Sequence, residues 1–180
     1  MNILTELHRA DGVNINGLAA HRIAVRAVIL RGRKLLMVYS SNVGDYKFPG
    51  GGVNVSESHE HALARELSEE CGATLLSVNG ELGAIIEYDH AKEDDFDTFK
   101  MTSYYYLCSV GDDFSGQTLD DYEYDLGFQP LWIDIKDAVE ANKRLLSLKE
   151  PPEWLKREIF ALEYIQRTII DTPTQPIPKG

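Results

Sequence analysis

The segment from Gly51 to Ala73 constrains the fold more than any other part of this 180-residue chain. It reads GGVNVSESHEHALARELSEECGA, and between Ser58 and Cys71 its apolar residues recur at the three-to-four spacing of an amphipathic helix. Ser58 can accept a hydrogen bond from a free N–H of the first turn, and Gly72 can adopt the left-handed conformation that ends many helices. The sequence therefore predicts a helix with a signal at each end.

Three carboxylates of this helix are expected to project toward one region. Glu66 and Glu70 are four residues apart, and Glu69 follows Glu66 by three. Because like charges one turn apart repel, the arrangement is better explained by a divalent cation that offsets the repulsion. Ligands that are all oxygen favour Mg²⁺ or Mn²⁺, acting together with the phosphates of a substrate. The helix therefore predicts a diphosphate-cleaving metal site, in which a glutamate or another nearby acid accepts the proton of the attacking water.

Two neighbours of these acids have predicted roles in the same site. Arg65 is better explained as a forked donor that orients a carboxylate, either Glu57 or one of the helix acids, than as a free surface charge. The sequence FPGGG precedes the segment, and its glycines allow the main chain to approach a metal closely. We assign the approaching carbonyl to Gly50.

The spacing of the fixed residues in this segment resembles the full signature of the Nudix hydrolase family. The matching positions are Gly51, Glu57, Arg65, Glu66, Glu69, Glu70, Gly72 and the closing apolar Ala73. The resemblance extends to the FPGGG lead-in and to the later segment PLWIDIKDA, which is similar to the closing strand and helix of the family. There are two departures: Ser56 stands where many members have glycine, and Ala73 is small for the final apolar position.

The resemblance implies an αβα sandwich with a mixed β-sheet, an α/β (α+β) fold. It also implies hydrolysis of a nucleoside diphosphate linked to another group, with a divalent metal. Glu66, Glu69 and Glu70 would bind the metal, and one of them would be a candidate base. Glu57 would be a further acid near the metal, and Arg65 would orient a glutamate.

Length and charge limit the organisation and the partners of the chain. We expect a single domain over residues 1–170, with an N-terminal extension at 1–21 that forms a short strand or helix against the domain or a partner chain, and a disordered tail at 171–180. The net charge of −11 argues against general nucleic-acid binding, which needs basic residues. It leaves room for a small phosphorylated substrate whose charge arrives with a metal.

Cysteine use and hydropathy predict the compartment. Cys71 and Cys108 form no CxxC pair and lie in apolar patterns, so we interpret them as buried free thiols. No apolar run approaches the length of a membrane span. We therefore expect a cytoplasmic protein with no membrane partner, and we take a homodimer as the default because of an apolar C-terminal helix and the unassigned N-terminus.

The remaining elements follow from hydrophobic periodicity. We expect a hairpin from residues 22–31 and 34–39 around Gly32, and a second hairpin from 74–78 and 81–88 around Asn79-Gly80. Further strands are expected at 101–110 and 131–133. Asp134 should cap a helix that runs to about residue 146, and Pro151-Pro152 should open the last helix.

Two acidic segments contain candidate acids outside the helix. AKEDDFDTFK includes Glu93, and DDFSGQTLDDYEYDLGF, at 112–128, includes Glu123. Either glutamate is a candidate for an extra metal ligand or base, although a solvated loop is the favoured interpretation of both segments.

Alternative functions remain at this level. A catalytically silent ligand sensor of the same fold is disfavoured because the acids of the signature are intact. An RNA 5′-end pyrophosphohydrolase would need a basic groove, which the acidic composition disfavours.

Overall fold

Eight strands and four helices make up residues 1–172, the part of the chain that the computed structural model describes. The strands are β1 (Ile3–His8), β2 (Ala19–Val28), β3 (Leu30–Arg31), β4 (Lys34–Ser40), β5 (Asp45–Lys47), β6 (Ala73–Asp89), β7 (Thr98–Phe114) and β8 (Phe128–Asp134). The helices are α1 (His59–Cys71), α2 (Asp121–Leu126), α3 (Ile135–Leu145) and α4 (Leu155–Ile165), and a π-helical turn, Gln166–Ile170, continues α4.

The strands form two sheets. One has the order β1-β6-β7-β2 and is mixed, because β1 and β2 lie parallel to their neighbours whereas β6 and β7 are antiparallel. In the other, β4 pairs antiparallel with β3, β5 and β8. Alternate residues of a strand point to opposite faces, so a strand covered on both sides contributes to two cores.

Helices cover both faces of this β-structure. On one face, Leu36 of β4 packs in a cluster with Leu67 of α1. On the other, its neighbour Leu35 packs with Ile135 of α3 and Leu162 of α4. The predicted αβα sandwich with a mixed sheet is therefore confirmed.

The predicted signals of α1 and α3 are confirmed. The Ser58 hydroxyl accepts a hydrogen bond from the His61 N–H, and Gly72 ends α1 with φ of 65°. Asp134 caps α3 through the Lys136 N–H. The hairpin around Gly32 is present as well, although its first strand is divided between β2 and β3.

The hairpin predicted at Asn79-Gly80 is wrong. β6 runs without a turn through both residues and pairs with β7 along its length, with register shifts on either side of Gly80. A two-residue turn of the predicted type needs positive φ at both positions, and neither residue has it. Asn79 instead bonds Ser77 and Ser109 with its side chain, so a β-bulge replaces the turn.

The segment at 112–128 is not simply a loop. It begins with the end of β7 and includes α2, which opens with a capping box in which Asp120 and Glu123 each accept the other's backbone N–H. The loop between β6 and β7 is the other acidic segment. There, Asp97 accepts the Leu18 N–H at 2.7 Å, which ties this loop to the chain before β2.

The two ends of the chain differ in how they join the domain. The N-terminal extension contains β1, which adds a parallel strand to β6, so it packs on the domain itself. The apolar stripe of α4 is used in the core of the same chain, since Leu155, Ile159 and Leu162 are buried. The stripe is therefore no evidence for a dimer face, and the homodimer stays a prediction.

The predictions for the C-terminal tail, for membrane spans and for the cysteines come next. Of the tail predicted at 171–180, residues 173–180 lie outside the described residues. Within residues 1–172, no helix is both long and apolar enough to cross a membrane. Cys71 and Cys108 are buried free thiols, as predicted.

Candidate active site

Two acids of α1 face inward. Glu66 and Glu70 lie on the buried side of the helix together with its apolar stripe, and their exposed fractions are 6% and 5%. Glu69 lies toward the rim, with 40% of its side chain exposed. The helix therefore divides the three predicted ligands into a buried pair and an outer acid.

A third carboxylate joins the buried pair from another element. Glu123 of α2 brings a carboxylate oxygen to the pair, and the ligand atoms of Glu66, Glu70 and Glu123 all lie within 4.8 Å of one another. The capping box holds Glu123 in place, because the Asp120 N–H donates to Glu123 Oε2 at 3.0 Å. We call these three acids the acidic cluster. Glu66 and Glu70 are on one helix, whereas Glu123 lies more than 50 positions further along the chain.

Arg65 binds several acceptors at once. Its Nε and Nη2 donate to the two oxygens of Glu57 at 2.9 and 3.0 Å. Its Nη1 donates to Glu66 at 2.7 Å and to Glu69 at 3.1 Å. The bond from Arg65, with help from the Asn54 N–H, lowers the pKa of Glu57 to about 2. Arg65 therefore has the forked geometry predicted from the sequence, and it joins the loop acid to the helix acids.

The glycine loop before α1 is held against both β2 and the acidic cluster. The Gly50 N–H donates to Glu70 Oε2 at 2.7 Å, while the Gly50 carbonyl accepts a bond from Arg26 of β2. Gly50 has φ of 135°, and a Cβ there would collide with the Val25 carbonyl. A Cβ on Gly51 would collide with the Glu66 carboxylate, so the first glycine of the signature leaves room for that acid.

The acidic cluster has more negative charge than its surroundings offset. Burial raises the pKa of Glu70 to about 8, and it also raises the pKa values of Glu66 and Glu123. Within residues 1–172, Arg65 pairs with Glu66, but no basic side chain forms an ion pair with Glu70 or Glu123. Three convergent carboxylates with only one ion pair among them within residues 1–172 are a donor set that fits a hard divalent ion.

The acidic cluster opens into a cleft of about 580 Å³. Six basic residues also line this cleft: Arg9, Arg22, Arg26, Lys47, Lys92 and Arg157. Its aromatic residues are Phe99, Tyr122, Phe128 and Trp154. The cleft therefore contains a possible metal-binding cluster of acids, six basic side chains and four aromatic side chains. The basic residues are concentrated here although the net charge of the chain is −11.

Comparison with known proteins decides the family. The family model for the NUDIX domain matches residues 20–155, which is most of the chain. The chain belongs to the Nudix family. It is therefore a hydrolase of the Nudix type, a class that acts on nucleoside diphosphate derivatives in general.

Solved Nudix structures share the fold. A NUDIX hydrolase from Nitrosomonas europaea is 19% identical, with a TM-score of 0.50 over 81% of this chain and 88% of that one. A MutT NUDIX hydrolase from Burkholderia pseudomallei is also 19% identical, with a TM-score of 0.50 over 81% of this chain and 98% of that one. At this identity the likeness concerns the fold alone. No curated protein sequence matches the chain.

Ser56, which departs from the usual Nudix signature, has the backbone conformation of the glycine that it replaces. Ser56 has φ of 67°, the left-handed conformation that favours glycine. It lies in the exposed turn before α1, so the backbone keeps the shape that a glycine would adopt.

Sequence reasoning placed some residues of this Nudix cleft and missed others. Glu123 was named as a candidate, and the structure brings it to the acidic cluster. Glu93 is exposed and is not among the residues that line the cleft, and its role stays a prediction. Lys47 and Trp154 were missed. The only signal for Lys47 was a charged residue directly before the FPGGG loop.

Proposed function

We propose that this Nudix protein is a metal-dependent hydrolase that cleaves the phosphoanhydride bond of a nucleoside diphosphate linked to another moiety, by attack of water on phosphorus. The observation that carries the proposal is the acidic cluster. Its three carboxylates converge from two helices onto one point of a cleft that also contains cations for the phosphates of a substrate.

Glu66, Glu70 and Glu123 would hold Mg²⁺ or Mn²⁺ in this proposal. When bound, the cation would offset the negative charge of the diphosphate and lower the pKa of a coordinated water. Gly50 would hold Glu70 in position through its N–H, and its carbonyl stays a predicted ligand. Glu69, at the rim, stays a candidate ligand or base.

Arg65 and Glu57 would support the acidic cluster rather than bind the metal. The ion pair between them occupies both oxygens of Glu57, and the same guanidinium reaches Glu66. Arg65 therefore restricts the position of a metal ligand from outside, which is the task of a residue that supports a coordination shell.

Two alternatives have less support. A ligand sensor without catalysis would not need an intact set of buried acids, whose accumulated charge is costly without a cation. An RNA 5′-end pyrophosphohydrolase would need a basic path that continues beyond the cleft, and the net charge of −11 argues against general nucleic-acid binding.

The direct test is release of phosphate or nucleotide from a panel of nucleoside diphosphate derivatives and capped RNA, measured with and without Mg²⁺ or Mn²⁺. The proposal expects release only with metal, from a small nucleoside diphosphate derivative. Release from capped RNA alone would favour the RNA alternative. Tight binding of one panel member without any release would favour the sensor.

Glu123→Gln should weaken Mn²⁺ binding by at least about 10-fold, because it removes one anionic ligand from the acidic cluster. The amide oxygen can still accept the Asp120 N–H, so α2 should keep its cap. Mn²⁺ titration followed by electron paramagnetic resonance measures the affinity. Asp121→Asn, which removes an exposed charge from the same helix, is the control, and equal affinities in the two variants would exclude Glu123 from the metal site.

Arg65→Lys should lower kcat by about 10- to 100-fold, the usual weight of a residue that supports metal ligands. A lysine ammonium is compact and has no planar fork, so it cannot hold both oxygens of Glu57 and also reach Glu66 as Arg65 does. The measurement is steady-state kinetics on the best panel substrate. Arg144→Lys, on the exposed side of α3, is the matched control. Unchanged kinetics would show that Arg65 acts only as a surface residue.

A further inference from the structure

Lys47, at the end of β5, is a buried cation without a partner. Only 8% of the residue is exposed. Its Nζ lies 4.1 Å from the ring centre of Trp154 and 4.3 Å from that of Phe128. Within residues 1–172, its ammonium forms no hydrogen bond or ion pair. The side chain lines the same cleft as Glu66 and Glu70.

The rings hold this ammonium but do not replace an acceptor. Contact with aromatic faces stabilises a cation by about 0.5–2 kcal/mol, which does not replace the hydrogen bonds that an ammonium makes in water. Burial indeed lowers the pKa of Lys47 to about 8, although the charges of Asp45, Glu158 and Glu70 oppose that shift. None of these three acids is within ion-pair distance of Lys47 Nζ.

The surroundings of Lys47 hold its ammonium against two rings and place one acid on the same strand face. Asp45, on the same strand face, accepts the Trp154 indole N–H with its Oδ2 at 2.5 Å, while its buried Oδ1 has no hydrogen-bond partner and forms no ion pair with Lys47. Asp45 is fully buried and thereby fixes the ring on which Lys47 rests. Lys47 lines the cleft beside these rings, together with Tyr122.

We propose that Lys47 is a substrate-binding residue, whose ammonium donates a hydrogen bond to a phosphoryl oxygen of the substrate while Trp154 and Phe128 hold it in place. The inference rests on the proposed function, because it assumes that a phosphorylated ligand enters the cleft. Lys47 and the acidic cluster line the same cleft. A diphosphate held at the acids would therefore offer anionic oxygens as the partner that the ammonium lacks.

Lys47→Met tests the proposal, because methionine keeps an unbranched chain against the rings and removes only the charge. Binding of inorganic pyrophosphate in saturating Mg²⁺, measured by calorimetry, should weaken by about 10- to 100-fold, the value of a charge-assisted hydrogen bond. Affinity for Mn²⁺ should not fall, and the melting temperature should stay equal or rise. Lys34→Met, at an exposed position of β4, is the matched control and should bind pyrophosphate like the wild type.

The outcomes separate this inference from the function on which it rests. Unchanged pyrophosphate affinity in Lys47→Met would overturn the role of Lys47, even in an active hydrolase. A lower melting temperature together with unchanged affinity would make Lys47 a structural residue. If the wild type binds pyrophosphate through Lys47 but hydrolyses no panel member, the proposed function fails while the subsite stands. Lys47→Gln repeats the measurement in case methionine disturbs the fold.

Discussion

Glu70→Gln is expected to lower kcat by about 10²- to 10⁴-fold, the usual weight of a metal ligand or base in such a site. The substitution preserves the size of the side chain, and the amide oxygen can still accept the Gly50 N–H. It removes one negative charge from the acidic cluster, which would weaken both metal binding and the acceptance of a proton. The loss should therefore appear in kcat and persist at saturating substrate.

Stability distinguishes this loss of function from a loss of fold. Burial raises the pKa of Glu70 from the ordinary value of 4.5 to about 8. The metal-free wild type should therefore lose stability as the pH rises from about 4.5 through 8, because the folded state must release a proton that the unfolded state has already lost. The Gln variant lacks this dependence, so it should be the more stable protein at alkaline pH.

The measurement combines steady-state kinetics with thermal unfolding at several pH values, both for the wild type and for Glu70→Gln. Glu60→Gln, which neutralises an exposed acid in the first turn of α1, is the control and should change neither quantity. Turnover near the wild-type value in Glu70→Gln would remove Glu70 from the mechanism.

The parts of the fold that the sequence predicted correctly depend on local interactions. The cap at Ser58, the stop at Gly72 and the cap at Asp134 each involve atoms within a few residues, so the sequence contains the whole signal. The error at Asn79-Gly80 has the opposite cause. That dipeptide favours a turn locally, but β7 pairs with β6 on both sides of it. This long-range pairing keeps residues 79 and 80 within one strand.

The site divides in the same way. The spacing on one helix predicted that Glu66 and Glu70 would lie together and that Arg65 would bind acids beside it. The position of Glu123 depends on how α2 packs, through Leu126, on the core that Leu67 of α1 also joins. The environment of Lys47 depends on Trp154, which is 107 positions further along the chain. No periodicity or motif records such contacts, so a single sequence yields them only as candidates or not at all.

Arg157→Met is expected to lower the free energy of unfolding by about 3–5 kcal/mol, the cost of breaking a buried ion network by removing one partner. Arg157 Nη1 donates to Glu87 at 2.7 Å, and its Nη2 donates to Glu158 at 2.8 Å. The exposed fractions of the three residues are 3%, 1% and 0% in the order Arg157, Glu87, Glu158. Without Arg157, Glu87 keeps Arg9 as a partner, but within residues 1–172 Glu158 keeps only the Phe48 N–H.

The pH dependence of this loss follows from the same network. Burial alone would raise the pKa of Glu87, but Arg157 and Arg9 hold it below its usual value. Wild-type stability is therefore lost as the pH falls through that lowered pKa. In Arg157→Met both acids have lost a cation and take up protons at higher pH, so the difference in stability between the two proteins should narrow as the solution becomes acidic.

Urea unfolding at neutral and acidic pH measures both effects. Lys143→Met, which breaks a surface ion pair with Glu163, is the control and should cost no more than about 1 kcal/mol. A similarly small loss in Arg157→Met would contradict the buried network.

The buried network also supports the site. Glu158 accepts the Phe48 N–H at 3.0 Å, and two residues later the Gly50 N–H donates to Glu70. Variants that retain their fold but loosen this anchor should therefore lose turnover as well as stability.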